Sequence, residues 1–246
     1  MNCEKKAEKH RAIGHQIEYV DCIASTNVAL KERCSREQLP HGFVLCARQQ
    51  SQGKGTDGNS WASAKGNIYA SVVFDFDQKV NTLFPFYPAV ALCKILHRYG
   101  IQAHLKWPND VLVETKKIAG ILCEGLNGKY MIMGIGINVN QERFPQALSS
   151  IATSMKIETG QSFECTSILN EFLHEYEALY HSEVDIRQEW LRHSRMVNKE
   201  LMITQDGQAQ KVRILGLSKE GFLQIQTDHG TENLMARSGL DISTDY

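Results

Sequence analysis

Arg48-Gln49-Gln50-Ser51-Gln52-Gly53-Lys54-Gly55-Thr56-Asp57-Gly58-Asn59-Ser60-Trp61 is the stretch that separates one fold class from another. Gly53-x-Gly55-x-x-Gly58 matches the dinucleotide fingerprint letter for letter, with acidic Asp75 at a tolerable distance. In a doubly wound fold that fingerprint opens a helix at its third glycine. Here Asn59-Ser60-Trp61-Ala62-Ser63-Ala64-Lys65-Gly66 has no helical apolar stripe, and Ile68, Tyr69, Val72, Val73 and Phe74 mark a strand over 66–76. The nucleotide P-loop fails too. Reading Gly53-Lys54 as its Gly-Lys puts Arg48 where the first glycine belongs and Gly55 where the metal-binding hydroxyl belongs. What remains is a strand–loop–strand unit whose backbone N–H groups and Lys54 can approach a phosphate or carboxylate. A glycine cluster by itself is as readily a surface turn.

Upstream of this loop, residues 15–22 read as a strand around Ile17, Tyr19 and Val20. Ser25-Thr26-Asn27 then offers N-cap side chains to a short helix over 28–33. Residues 42–48 form a buried strand. Downstream, Ala89, Leu92, Cys93, Leu96 and Tyr99 recur at helical spacing over 86–99, with Pro85 and Pro88 at its start and Gly100 at its end. Lys117–Glu124 and Tyr130–Asn138 read as two strands of a hairpin that turns between Gly125 and Gly128. Residues 141–160 read as loop, and two helices follow around Ile168–Leu179 and Ile186–Leu191. From about 196 the pattern changes to short strands separated by Asp206-Gly207, Glu220-Gly221 and His229-Gly230, the signature of a small β-barrel. Strands that neighbour in sequence, with helices interspersed, indicate α+β rather than a strict βαβ order.

Composition narrows the function. A net charge of −1 over 246 residues provides no global field to draw in nucleic acid or an anionic membrane. Seven cysteines, no two within four residues, fit neither a disulfide framework nor a Cys-x2-Cys zinc site. The nine histidines show no ligand spacing, so no protein-held metal is expected from the pattern. No run approaches the roughly 18 apolar residues of a membrane helix. Met1–Arg11 carries charge without an apolar segment behind it, and Lys5–Lys9 reads as a solvated tail. The expected location is the cytoplasm.

A second cluster, Lys106-Trp107-Pro108-Asn109-Asp110-Val111, sets a cation, an aromatic, an amide and a carboxylate around a proline-fixed bend. As a capped turn over a core Trp107 it would need no function. Seven residues on, Lys117 heads the apolar run Ile118-Ala119-Gly120-Ile121-Leu122, where a lysine is costly to bury unless it meets an anion. Gly134-Ile135-Gly136-Ile137-Asn138-Val139-Asn140 then closes a strand with two glycines and two amides. In the order Ser25-Thr26-Asn27, Gln50…Gly53-Lys54-Gly55, Gly66–Ser71, Lys106–Asp110, Lys117–Leu122, Gly134–Asn138, the chain resembles the biotin–protein ligase family over residues 17–140, and more weakly beyond.

The resemblance implies a class II synthetase-like mixed sheet flanked by helices over residues 1–195, then a small SH3-like β-barrel over 196–246. It implies ATP, biotin and Mg2+, with biotinyl-5′-AMP formed first and biotin then passed to one lysine of a carboxylase's biotin carrier domain, by default that of acetyl-CoA carboxylase. Ser25, Thr26, Asn27 and Gln50 fall to the neutral ureido ring, which needs donors and acceptors. Gly53, Lys54, Gly55, Thr56, Lys117 and Gly120 fall to the rest of biotin, and Asn109, Asp110, Asn138 and Lys117 to the nucleotide. Lys117, Lys54 and Asp110 are the catalytic set. Asp110 either meets Mg2+ and ATP or orients the incoming amine. A lipoate ligase of the same fold, and a binding protein without catalysis, are the alternatives.

Two departures stand out against the family pattern. Thr56 stands where these loops commonly carry an arginine that holds the adenylate. Only 18 residues precede Tyr19, too few for the helix-turn-helix of DNA-binding members, so no DNA binding is expected. Family members occur as monomers and as homodimers, and both states are open here.

Overall fold

The computed structural model describes residues 13–76, 81–236 and 239–243. The expected Lys5–Lys9 tail lies outside the described residues. The elements are β1 (Ile17–Val20), α1 (Thr26–Cys34), β2 (Val44–Ala47), β3 (Ile68–Asp75), α2 (Phe86–Arg98), β4 (Ala103–Lys106), β5 (Asp110–Val113), β6 (Lys116–Leu126), β7 (Tyr130–Ile137), α3 (Met155–Thr159), α4 (Cys165–Tyr180), α5 (Ile186–His193), β8 (Glu200–Gln205), β9 (Gln208–Leu217), β10 (Leu223–Thr227), β11 (Gly230–Leu234) and β12 (Leu240–Ile242).

β1 to β7 form one sheet in the order β1-β2-β3-β7-β6-β5-β4. β1 and β2 are parallel and every other pair is antiparallel, so the sheet is mixed. The two faces are built by strand alternation. On β7, Met131, Met133, Ile135 and Ile137 point into the main core with α2, α4 and α5, whereas Tyr130 and Ile132 pack on the side of α1. On β3, Ile68, Ala70, Val72 and Phe74 share the first face and Val73 the second. That second face continues past the end of the α1 core as the floor of a pocket.

Four expectations change. Ser25 occupies the N-cap position of α1, but its hydroxyl makes no capping hydrogen bond; helix start and pocket wall coincide there. Residues 141–160 are not all loop: α3 is capped by Ser154, whose Oγ accepts from the Ile157 N–H at 3.2 Å, and ends at Gly160. The bend at Lys106–Asp110 is flanked by β4 and β5, too short to show a period in sequence. Finally, the C-terminal strands form an open antiparallel sheet in the order β11-β10-β9-β8-β12, and no pairing of β11 with β12 closes it into a barrel among the described residues. Its buried side chains, among them Leu201, Val212, Ile214 and Ile225, are continuous with the core under the first sheet through Trp190 and Met196. Among the described residues no helix is long and apolar enough to cross a membrane.

Candidate active site

Backbone makes the pocket floor. On the α1-side face of β6 and β7 the residues in line are Gly120, Leu122, Gly134 and Gly136, all of which line one pocket. A Cβ on Gly136 would sit 2.5 Å from Trp61 Cε2, and one on Gly120 would sit 2.9 Å from Trp61 Cζ3. A Cβ on Gly134 would strike the Asn27 carboxamide. The glycines let the Trp61 indole lie directly on the sheet, with Lys117 Nζ 5.6 Å from the ring centroid. Between the indole, Tyr69 and the helix start a cavity of about 40 Å³ remains, room for a few waters.

The polar end of the pocket is a connected network. Gln50 Oε1 accepts from the Thr26 N–H at 2.8 Å, and Gln50 Nε2 donates to Ser63 Oγ at 3.0 Å. Ser63 Oγ in turn lies 2.9 Å from the Trp61 carbonyl oxygen. Ser71 Oγ, on the β3 floor, lies 2.7 Å from Thr26 Oγ1 and 2.5 Å from Asn27 Oδ1. Asn27 Nδ2 donates to Glu124 at 2.8 Å, and Glu124 is also paired with Lys31. Burial pushes the Glu124 carboxyl up, but the hydrogen bonds from Lys31 and Asn27 outweigh it and hold the group below its ordinary value. Lys54 adds to that depression. A network with most of its partners satisfied fixes which way each amide points before any ligand arrives.

A bulge creates the charged end. Val111 pairs with Ala119 and Leu112 with Lys117, so Ile118 is the extra residue on β6. Ile118 and Ala119 therefore both enter the core, and Lys117 turns to the face that carries Gly120 and Asp110. Lys117 Nζ then meets Asp110 Oδ1 at 2.6 Å, the anion its position demands. Asn109 Nδ2 is tied to the Ile121 carbonyl. The loop over 53–61 is a small hairpin: Trp61 N–H donates to Gly53 O at 2.9 Å, Gly55 N–H to Asn59 O at 2.8 Å, and the chain turns through Asp57 (φ 56°) and Gly58 (φ 76°). The chain therefore turns back as a hairpin where the dinucleotide fingerprint would open a helix. Thr56 sits at its exposed tip, between the pocket and a cleft of about 400 Å³ that runs past Lys106, Asp110 and Lys117 to Asp241 of β12.

Of the residues singled out in the sequence, Ser25, Thr26, Asn27, Gln50, Lys54, Gly55, Thr56, Asn109, Asp110, Lys117 and Gly120 line this one pocket. Gly53 does not. It is buried behind the wall, where a Cβ would strike Ser63 and the Trp61 carbonyl. Asn138 does not line it either: its Nδ2 donates to Thr153 O at 3.0 Å and Lys117 O at 3.3 Å, and it faces a neighbouring hollow behind Trp61, walled by Phe144, Leu148 and Ile151. Sequence reasoning missed Trp61, Glu124 and Lys31 as members of the site. Glycine at alternate positions of β7 and at Gly120 was the signal that something flat lies on that face. Trp61 Nε1 is buried without a hydrogen-bond partner, an open donor at the junction of pocket and hollow.

Residues 19–140 match the biotin/lipoate A/B protein ligase family model. A bifunctional ligase/repressor BirA from Bacillus spizizenii is 29% identical over 241 residues, 92% of this chain and 74% of that protein. A biotin–[acetyl-CoA-carboxylase] ligase of Mycobacterium tuberculosis is 32% identical over 148 residues, 57% of this chain and 54% of that one. The biotin protein ligase of Aquifex aeolicus, solved with biotin and ATP, superposes with a TM-score of 0.82 at 24% identity, covering 93% of this chain and 99% of its own. At that identity the superposition speaks for the fold. The motifs that align in sequence are those that the structure gathers around one pocket, and the chain belongs to the biotin/lipoate A/B protein ligase family, among its biotin–protein ligases.

Proposed function

We propose that the pocket binds biotin and ATP, joins them as biotinyl-5′-AMP, and hands the biotinyl group to a lysine of a carboxylase carrier domain. The observation that carries this reading is the union, in one pocket, of a neutral polar end, a glycine floor and a Lys117–Asp110 pair. A ureido ring needs both donors and acceptors without charge, which Thr26, Asn27 and Gln50 supply in fixed orientation. An aliphatic chain then runs over Gly120 and Gly136 toward Lys117, against the indole of Trp61. The pocket is too narrow to admit a bicyclic ring as it stands, so Trp61 has to lift from the floor on binding.

The biotin carboxylate attacks the α-phosphorus of ATP, the bond from that phosphorus to the α,β-bridging oxygen breaks, and pyrophosphate leaves with the electron pair. Negative charge accumulates on the α-phosphate oxygens, and Lys117 and Lys54, which both line the pocket, are the cations to meet it. In the second step the carrier amine attacks the acyl carbon and AMP departs. The cleft toward Asp241 gives that amine its way in, and Asp110 is placed to accept its proton. Asn138 acts on the nucleotide through the hollow behind Trp61, and its hold on the Lys117 carbonyl ties that hollow to the charged pair.

Mg2+ takes hard oxygen ligands and one or two carboxylates beside phosphate. Asp110 offers a carboxylate at the pocket edge, and Asn109, whose nitrogen is committed to Ile121, offers its amide oxygen. These residues would hold the ion, which would supply neutralisation of phosphate charge. The division of the chain at residue 195 belongs to the same reading, with 1–195 holding the pocket and 196–246 closing one side of the cleft. The cytoplasm, and a monomer or homodimer, remain the expected setting, and the acetyl-CoA carboxylase carrier the expected acceptor.

Biotin-dependent ATP–pyrophosphate exchange on the purified chain, with lipoate as the comparison, tests the reading. Exchange with biotin alone is expected. Exchange with lipoate instead would make the chain a lipoate ligase, and exchange with neither would leave a binding protein.

A further inference from the structure

On the opposite face of the sheet from the pocket, the fold gathers three ligand-bearing side chains that the sequence keeps apart. Cys93 and His97 are four residues apart on α2 and so share one side of that helix. His193 ends α5, nearly a hundred residues later. One ligand atom from each of the three lies within 4.8 Å of the other two, and the His97 and His193 rings stand 5.3 Å apart between centroids. From this geometry we propose that Cys93, His97 and His193 form a binding site for a borderline transition metal, Zn2+ by preference, which pins α2 to α5.

The chemistry of the donor set supports zinc. One thiolate and two imidazoles are a tetrahedral zinc set with the fourth position left to water, which the exposed edge of His97 admits. Tetrahedral Zn–N and Zn–S bonds call for ligand atoms about 3.5 Å apart, so the three groups need close by about an ångström. Strand β4 supplies the outer support. His97 Nε2 lies 2.7 Å from the Ala103 carbonyl oxygen, which can only accept. Nε2 therefore carries the proton and Nδ1 presents its lone pair, the arrangement by which metal-binding histidines are held. Leu105, two residues along β4, bridges to Ser194, the neighbour of His193, so the same strand positions both imidazoles.

The surrounding charges do not forbid a cation. Lys94 is paired with Glu175 at 2.6 Å and Arg192 with Glu189, while the charge of Arg195 also acts on Cys93. Burial keeps the Cys93 thiol protonated in the free protein, and burial likewise favours neutral His193. Binding then expels one proton: Cys93 S–H gives S–Zn2+ and a proton to solvent, with no change of oxidation state.

The test uses the purified full chain, stripped of metal and kept reduced with a phosphine, and titrated with Co2+ alone as the spectroscopic substitute. One equivalent is expected to raise thiolate-to-cobalt absorption in the near ultraviolet with the visible bands of four-coordinate Co2+, and Zn2+ is expected to erase both. Cys93→Ser and His97→Ala are each expected to lose this absorption, whereas Cys22→Ser, which removes an exposed thiol, is expected to keep it. Saturating Zn2+ is expected to raise the thermal midpoint of the wild type by about 5 °C and leave His97→Ala unmoved. Because His97 is exposed, His97→Ala keeps the test valid if Cys93→Ser fails to fold. Absence of the thiolate band in the wild type, or its persistence in His97→Ala, overturns the proposal.

Discussion

Lys117 is held by Asp110 until something more negative arrives, and that exchange of partners is the smallest unit of the proposed mechanism. Lys117→Gln keeps a polar side chain, one atom shorter, and removes the charge. Loss of one preorganised donor to a developing oxyanion costs about a hundred- to a thousandfold in rate. The biotin-dependent exchange rate is expected to fall by that factor with the fold intact by circular dichroism. Thr56 is the second residue that matters here, because its exposed position at the hairpin tip brings no positive charge to the pocket mouth. Thr56→Arg is expected to slow release of biotinyl-AMP, measured as the dissociation rate of the labelled adenylate; an unchanged rate would remove Thr56 from the account of adenylate retention. At this scale the sequence was legible where residue type and role coincide. Lysine, aspartate and asparagine in a motif announce themselves. Glu124 and Lys31 did not, because a carboxylate near the end of an apolar strand and a lysine on a short helix look like surface until folding sets them together.

Elements carry the precision of the site. The bulge at Ile118 turns Lys117 toward Asp110, and glycine at alternate positions of β7 makes the floor flat. Gly136→Ala puts a methyl group into the indole of Trp61, and the ring has to move. The expected result is a KM for biotin raised about tenfold with little change in stability, since the strain is relieved into the pocket. Tryptophan fluorescence is the companion readout: Trp107 and Trp190 are buried in the core, so a change on adding biotin reports Trp61. The helical layer has its own link in Glu175 of α4, which pairs with Lys94 and Arg98 of α2. Burial pushes its carboxyl up, but hydrogen bonds from those two cations prevail and hold it below its ordinary value. A depressed folded value means stability that is present above the unfolded carboxyl range and lost as pH falls through the folded one. Glu175→Gln is expected to cost about 1–3 kcal/mol at neutral pH. Its denaturation midpoint is expected to vary less than the wild type's below about pH 4, so that the two curves converge.

At the scale of the whole molecule the two sheets share a core. Trp190 stacks on Phe86 at 5.3 Å between centroids, and the same cluster runs on to Leu201, Ile214 and Ile225 of the second sheet. The bend at Trp107 reaches it as well, through an indole N–H donated to Gly221 O at 3.1 Å. Unfolding is therefore expected to be one cooperative transition, with tryptophan fluorescence and far-ultraviolet circular dichroism coincident in urea. Separated transitions would show that the second sheet is stable apart from the first. This joint places Asp241 of β12 on the cleft beside Lys106, 3.6 Å from its Nζ, so the second sheet forms part of the site's rim.

By itself the sequence determined the kinds of element and the chemistry available to them. Alternation along 130–137, helical spacing along 86–99 and the order of the polar motifs are local patterns, and local patterns survive without knowledge of partners. It also ruled out the dinucleotide fold, because a helix cannot start at Gly58 without an apolar stripe to bury. Only the tertiary structure decided which side chains meet. Strand order brought β6 between β5 and β7, the bulge chose the face of Lys117, and the return of α5 beside β4 brought His193 to Cys93 and His97. Contacts between residues a hundred positions apart leave no period in the chain, because what joins them is the packing of whole elements rather than the spacing of residues.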